Sequence, residues 1–222
     1  MAEELSSSKL GTLEYWEQTY DKEIENFNEF GDEGEVWFGI QTAKRVVNWL
    51  KNKQVDKENS SIIDIGCGNG FSCCMLAEAG FKQITGVDYS EKAIKLAKSI
   101  AESKNLNIDY KVVDVLNKEE NLNSKKYDIA IDKGTYDAIG LCPDDPRTKR
   151  YLYKEFLLRV LANDSLFIIT SCNWTSKELE NFFTESNEFE IVEEIKAPIT
   201  FQFGGSTGST TSTLVFKFKK SN

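Results

Sequence analysis

The chain has 222 residues, 40% of them hydrophobic and 28% charged, enough for one domain with a full core and too apolar for a disordered chain. Its 27 basic and 36 acidic residues leave a net charge of −9, which opposes nucleic-acid binding through phosphates and favours encounter with a basic partner. Histidine is absent, so no Ser-His-Asp triad, Cys-His dyad or His-ligated metal site can form. Any general base must be Asp, Glu, Lys, Tyr, Cys or water.

The five cysteines, Cys67, Cys73, Cys74, Cys142 and Cys172, form no CxxC pair, and their odd number predicts reduced thiols without a metal role. The opening MAEELSSSKL has no apolar signal region, and no window reaches the ~18 apolar residues of a membrane span. These features predict a soluble, intracellular protein with neither nucleic acid nor membrane as partner; it is expected to be cytoplasmic and a monomer.

Residues 1–10 are expected to be a frayed tail. From Thr12 to Phe30, Trp16, Tyr20, Ile24 and Phe27 fall at helical spacing. A turn-rich stretch, Gly31 to Glu35, leads into Trp37-Phe38-Gly39, and a second helix is predicted over Gln41–Lys51. Residues 1–58 thus read as a helical segment packed on a core domain of residues 59–222, the two expected to form one structural unit.

Strands then alternate with helices. Ser61–Gly66 is an apolar, β-branched strand, Phe71–Ala79 a helix stopped by Gly80, and Ile84–Asp88 the next strand. Ser90 is placed to cap a helix whose stripe is Ala93, Ala97 and Ala101. Ile108–Val113 and Tyr127–Ile131 are strands three and four. Arg147–Leu161 is a helix, Asn163-Asp164 a turn, and Leu166–Thr170 the fifth strand. Thr175 to Glu178 fits a capping box that opens a helix through Phe183. Phe189, Ile191 and Ile195 suggest a sixth strand, and Leu214, Phe216 and Phe218 a seventh. Gly204–Thr213, rich in Gly, Ser and Thr, is a candidate hairpin loop or lid. The alternation predicts an α/β, Rossmann-like, seven-stranded and mostly parallel sheet with helices on both faces and an antiparallel last strand.

Asp64-Ile65-Gly66-Cys67-Gly68-Asn69-Gly70 joins the first strand to its helix. Glycines there let a ligand approach the backbone, and ligands of open α/β sheets sit at the carboxyl ends of strands. The spacing is G-x-G-x-G, which disfavours a nicotinamide dehydrogenase. Asp88, followed by Tyr89, ends the second strand, where a carboxylate can accept both hydroxyls of a ribose. Asp114 and Val115 follow the third strand. Asp132-Lys133-Gly134-Thr135-Tyr136 follows the fourth, and a surface Asp–Lys pair at a turn is the alternative account of its charges.

The glycine motif resembles the first motif of class I S-adenosylmethionine-dependent methyltransferases. With Trp37-Phe38-Gly39, Asp132-Lys133-Gly134-Thr135, Ser171-Cys172-Asn173-Trp174-Thr175 and Phe201-Gln202-Phe203-Gly204-Gly205, in this order, the chain resembles the eukaryotic lysine methyltransferases that act on translation elongation factor 1-alpha. The resemblance implies S-adenosyl-L-methionine as cofactor and elongation factor 1-alpha as protein substrate. It also implies a cofactor site of Trp37, Gly39, Asp64, Gly66, Gly68, Gly70, Asp88, Tyr89, Asp114, Val115 and Asp132. Asp132 is then the candidate orienting group or base, Tyr136 a candidate wall of the lysine slot, and Asn173 and Trp174 the substrate rim. Methylation of another protein or a small molecule, or a non-catalytic cofactor-binding role, remain the alternatives.

Overall fold

A computed structural model describes residues 5–119, 122, 125–197, 201–203, 206–208 and 210–219. Part of the Gly204–Thr213 loop, including Gly204 and Gly205, lies outside the described residues, as do residues 1–4 of the opening tail.

Helices α1 (Leu13–Phe30) and α2 (Ile40–Asn52) precede the sheet. The sheet is built from β1 (Ser61–Ile65), β2 (Gln83–Asp88), β3 (Asp109–Val112), β4 (Tyr127–Lys133), β5 (Leu161–Ser171), β6 (Phe189–Glu194) and β9 (Ser212–Phe218). Helices α3 (Phe71–Glu78), α4 (Glu91–Ser103), α5 (Thr135–Gly140), α6 (Pro146–Val160) and α7 (Ser176–Thr184) alternate with the strands. Two short strands, β7 (Phe201–Phe203) and β8 (Ser206–Gly208), pair antiparallel as a separate ribbon.

The strand order is β3-β2-β1-β4-β5-β9-β6. All pairs from β3 to β5 are parallel, and β9 runs antiparallel between β5 and β6. This is the mixed sheet expected from the sequence. Its central strands read as largely apolar runs because both faces are covered, whereas the edge strands β3 and β6 carry exposed residues. Ile62, Ile84, Ile129, Ile131, Ile168 and Val215 pack with residues of α2, α3 and α4. Ile63, Ile65, Val87, Phe167, Ile169, Leu214 and Phe216 pack with residues of α5, α6 and α7. Full burial of each such side chain contributes roughly 1.5–3 kcal/mol.

Caps set the helix boundaries. Ser90 Oγ accepts from the Ala93 N–H at 3.0 Å. Thr175 and Glu178 form the reciprocal capping box that opens α7. Gly31, at φ +72°, ends α1 in the left-handed conformation.

Three segments differ from expectation. The tail is tied down: the Ser8 N–H donates to Leu141 O at 3.0 Å, and Trp16 Nε1 donates to Leu10 O at 2.9 Å. Strand β5 starts at Leu161, which pairs with Tyr127 before the register jumps to Ile129–Leu166. The Asn163-Asp164 turn is therefore an irregularity within β5. Helix α5 is an element that periodicity did not reveal.

Candidate active site

The carboxyl ends of β1 to β4 face a cleft with about 130 Å³ of internal space, at the strand ends where ligands of open α/β sheets bind. Its floor is the turn after β1. Gly66 has φ +65°, and a Cβ there would overlap the Thr135 side chain. Thr135 Oγ1 in turn donates to Ile65 O at 2.7 Å, so the turn and α5 interlock. Gly68, at φ +55°, lies beneath Tyr20, whose hydroxyl would sit 2.6 Å from an added Cβ.

Asp88 lines the cleft at the end of β2. Its two oxygens accept from the Gly68 N–H at 3.0 Å and the Ser90 N–H at 2.9 Å. Burial lifts its carboxyl to about 6, the N–H groups of Ser90 and Gly68 oppose the rise, and Glu17 adds to it. A carboxylate oxygen has more than one acceptor site, so Asp88 retains capacity for a ligand's hydroxyls. Tyr89, Val113, Asp114, Val115 and Leu116 continue the wall. Asp114 Oδ1 accepts from the Leu116 N–H at 2.9 Å and so closes its own turn.

Helix α1 forms the roof. It packs on α4; Glu17 Oε1 accepts from Ser90 Oγ at 2.6 Å, and Asp21 pairs with Lys92 at 2.8 Å. These contacts bring Trp16 and Tyr20 onto the cleft wall. Trp16 meets Trp37 edge-on at 4.7 Å between centroids. Asn69 Nδ2 donates to Glu33 O at 2.8 Å, which fastens the α1–α2 connection to the glycine turn.

The segment after β4 divides between two environments. Asp132 is fully buried behind the cleft. Its Oδ1 accepts from the Thr135 N–H at 3.0 Å, and its Oδ2 from the Tyr136 N–H at 3.1 Å and the Tyr153 hydroxyl at 2.5 Å. Lys133 faces forward, lines the cleft, and donates from Nζ to Trp37 O at 3.3 Å. Burial holds its ammonium below the ordinary lysine value, opposed by Asp64 and Asp132. Asp64 lies under the floor, where Cys73 Sγ donates to it at 3.3 Å. Burial raises its carboxyl to about 6, with Lys133 and Cys73 pulling the other way.

Of the residues singled out from sequence, Trp37, Gly66, Gly68, Asp88, Tyr89, Asp114 and Val115 meet at this cleft. Asp64 and Asp132 are buried beside it. Gly70 caps the start of α3, and Gly39 the start of α2. Tyr136 and Trp174 instead line a second cavity, of about 620 Å³, between α5, α6 and α7, where the Arg150 guanidinium lies 4.6 Å from the Trp174 ring centroid. Asn173 is exposed on the turn held by Asp137, which accepts from Ser171 Oγ at 2.5 Å and the Cys172 N–H at 2.9 Å.

The cleft also gathers residues that the sequence reading left out: Trp16, Tyr20, Glu35, Lys133, Thr135, Ile139 and Cys142. The aromatics on α1 had the signal of a core stripe, and Lys133 that of a solvated charge. Among the described residues no cluster of acids and cysteines could hold a metal, and no helix is long and apolar enough to cross a membrane.

A methyltransferase domain family matches residues 56–214. The human EEF1A lysine methyltransferase 2 is 46% identical over 211 residues, covering 95% of this chain and 87% of that protein. The protein-lysine N-methyltransferase efm4 of Schizosaccharomyces pombe is 39% identical, covering 98% and 97%. EFM4 of Saccharomyces cerevisiae is 36% identical, covering 96% of both. Among solved structures, an S-adenosylmethionine-dependent methyltransferase from Anabaena variabilis superposes with a TM-score of 0.65 at 18% identity, covering 98% of this chain and 100% of that one. The [4+2]-cyclase SpnF superposes at 0.67 with 14% identity and 99% coverage of both chains. These two likenesses speak for the fold. Together with the family match and the near full-length identity to the lysine enzymes, they lead to one assignment: the chain belongs to the methyltransferase family that includes EEF1A lysine methyltransferase 2 and EFM4.

Proposed function

We propose that this protein is a lysine N-methyltransferase that modifies translation elongation factor 1-alpha, with S-adenosylmethionine as methyl donor. The observation that carries this reading is 36–46% identity, over nearly the whole chain, to protein-lysine methyltransferases of animals and yeast. The same reading has the enzyme acting as a monomer in the cytoplasm, without a nucleic acid or membrane partner. A net charge of −9 supports a basic protein acceptor over nucleic acid.

The cleft residues suit the donor. Asp88 is a buried carboxylate with lone pairs to spare for a ribose diol. Val113, Val115, Leu116 and Ile139 offer an apolar wall for a base. Gly66 and Gly68 let the ligand lie against backbone. Three acids, Glu35, Asp88 and Asp114, line the cleft against one cation, which matches a ligand bearing more positive than negative groups. When bound, S-adenosylmethionine supplies an activated methyl group on a sulfonium centre.

The chain's own task is to bind, aim and exclude water. A free lysine with a pKa of about 10.4 is neutral in only about one molecule in 2,500 at pH 7, so the acceptor must enter an environment that favours the amine. Trp16 and Trp37 give the cleft an apolar, water-poor wall. Asp132 acts in this scheme from behind. By capping α5 it fixes Gly134 and Thr135, and Thr135 fixes the glycine turn.

The test is transfer of labelled methyl from S-adenosylmethionine to purified elongation factor 1-alpha, followed by peptide mapping. A single labelled lysine is expected. No labelling of that protein, with donor binding intact, would overturn the acceptor assignment and move it to another protein or a small molecule.

A further inference from the structure

Among the described residues lining the cleft, Lys133 is the one lysine or arginine, against Glu35, Asp88 and Asp114. The donor named above carries a sulfonium and an ammonium, and one carboxylate. The acids can meet the two positive groups. The carboxylate has a single side chain of opposite charge to meet.

Position agrees with charge. Asp114 follows β3 and Lys133 ends β4, with β2 and β1 between them. Three strand spacings separate the two ends by roughly 14 Å, a span suited to an extended nucleoside with an amino-acid tail. Asp88, the diol acceptor, lies on the β3 side of the glycine turn, which puts the tail at the β4 end, beside Gly66, Gly134, Thr135 and Trp37.

Lys133 is also under-partnered. An ammonium has three donors; the structure gives one of them to Trp37 O at 3.3 Å and sets the Phe38 ring face 6.0 Å from Nζ. Its attraction to Asp64 and Asp132 is felt at longer range than an ion pair. A shielded ammonium with donors to spare, on the wall of a ligand cleft, fits an anion. Its bond to Trp37 O further links such a ligand to the Trp37-Phe38-Gly39 segment, where Phe38 holds an unusual φ of +61°.

We propose that Lys133 binds the carboxylate of the donor's amino-acid end and, through Trp37 O, holds the α1–α2 connection against that end. The inference rests on the S-adenosylmethionine reading.

The experiment is calorimetric titration of the full chain, wild type, Lys133→Met and Lys133→Arg, with two probes. S-adenosylhomocysteine carries the carboxylate, whereas methylthioadenosine lacks the amino-acid end. Lys133→Met is expected to bind S-adenosylhomocysteine about 10- to 100-fold more weakly, as for loss of a hydrogen bond to a charged group. Its methylthioadenosine affinity should stay within about twofold of wild type, and Lys133→Arg should recover most of the loss. Unchanged S-adenosylhomocysteine affinity would overturn the proposal. Equal weakening of both probes would overturn it too, because it would make Lys133 a structural support of the cleft. Failure of wild type to bind either probe would instead remove the donor reading, and this inference with it.

Discussion

Tyr153, on α6, donates a 2.5 Å hydrogen bond to the carboxylate of Asp132, the residue that caps α5 from the end of β4. The bond crosses the core beneath the sheet's carboxyl edge and joins the helix that frames the cleft to the helix behind it. Asp132 pays for this position in solvation. Burial lifts its carboxyl to about 7, although Tyr153 and the N–H groups of Thr135 and Tyr136 pull it down.

The unfolded value of an aspartate is about 3.9, so the folded state holds this proton more tightly. Stability must then fall as pH climbs from about 4 to about 7. Asp64 and Asp88, lifted to about 6, act with the same sign. The ligand-free protein is therefore expected to melt at a higher temperature at pH 5.5 than at pH 7.5. Asp132→Asn should flatten the upper part of that slope. A melting temperature that rises across the window would contradict the account.

Asp132→Ala removes the acceptor for two backbone N–H groups and a phenol. Stranded buried donors cost about 1–3 kcal/mol each. A total near 3 kcal/mol lowers Tm by roughly 6–12 °C for a chain of this size. Denaturant melts and differential scanning calorimetry check it, alongside methyl-transfer rates measured below the shifted Tm.

Donor affinity should depend on Asp88 in its ionised form. Hydroxyl donors stabilise the carboxylate, so binding favours loss of the proton that burial retains up to about 6. Affinity for S-adenosylhomocysteine is expected to be higher at pH 7.5 than at pH 5.5, with proton release on binding near pH 6. Asp88→Ala should abolish both the pH dependence and most of the affinity. Titrations in two buffers of different ionisation enthalpy would show the proton directly.

Gly66→Ala combines a disfavoured φ of +65° with overlap on Thr135. The substitution is expected to cost several kcal/mol, in the range of overpacked or strained sites (about 1–3 for each effect). Donor binding should be lost even where the variant folds, because Thr135 also holds Ile65 O. Full binding by Gly66→Ala would show that the turn is more pliable than its contacts imply.

All five cysteines are free, and Cys172 is the exposed one. Partial desolvation of its sulfur, with Asp137 beside it, raises its thiol to about 11. A chromogenic disulfide reagent at pH 8 should titrate one thiol of the native protein, slowly, and five after unfolding in guanidinium. More than one fast-reacting thiol in the native state would point to opening around Cys67 or Cys142.

The alternation of strand and helix was legible because each buried strand is a short β-branched run and each long helix carries its own apolar stripe. Ser90 and Thr175 announced their helices, and each caps as its side chain suggests. Helix α5 gave no such sign. It has six residues, too short for a period to emerge, and its N-cap residue is Gly134, with the carboxylate that caps it two positions further back at Asp132. Asp132 and Lys133 show the other limit. Neighbours in sequence on a strand point to opposite faces, so one is sealed under the cleft and the other looks into it. Which residue takes which side depends on the register of β4 with β1, where Asp132 pairs with Ile65. Trp16 and Tyr20 were readable as an apolar stripe, but only the packing of α1 on α4 makes that stripe a roof.

Strand β9 follows β6 in the chain yet lies between β5 and β6 in the sheet. During synthesis β6 therefore emerges with its neighbour still unmade, and β5 presents a bare hydrogen-bonding edge until residues 212–218 arrive. An exposed apolar edge invites pairing with other chains. The newborn protein should thus lean on chaperones late, with the cleft half already folded, and a ribosome stalled before residue 212 should leave a species prone to aggregate.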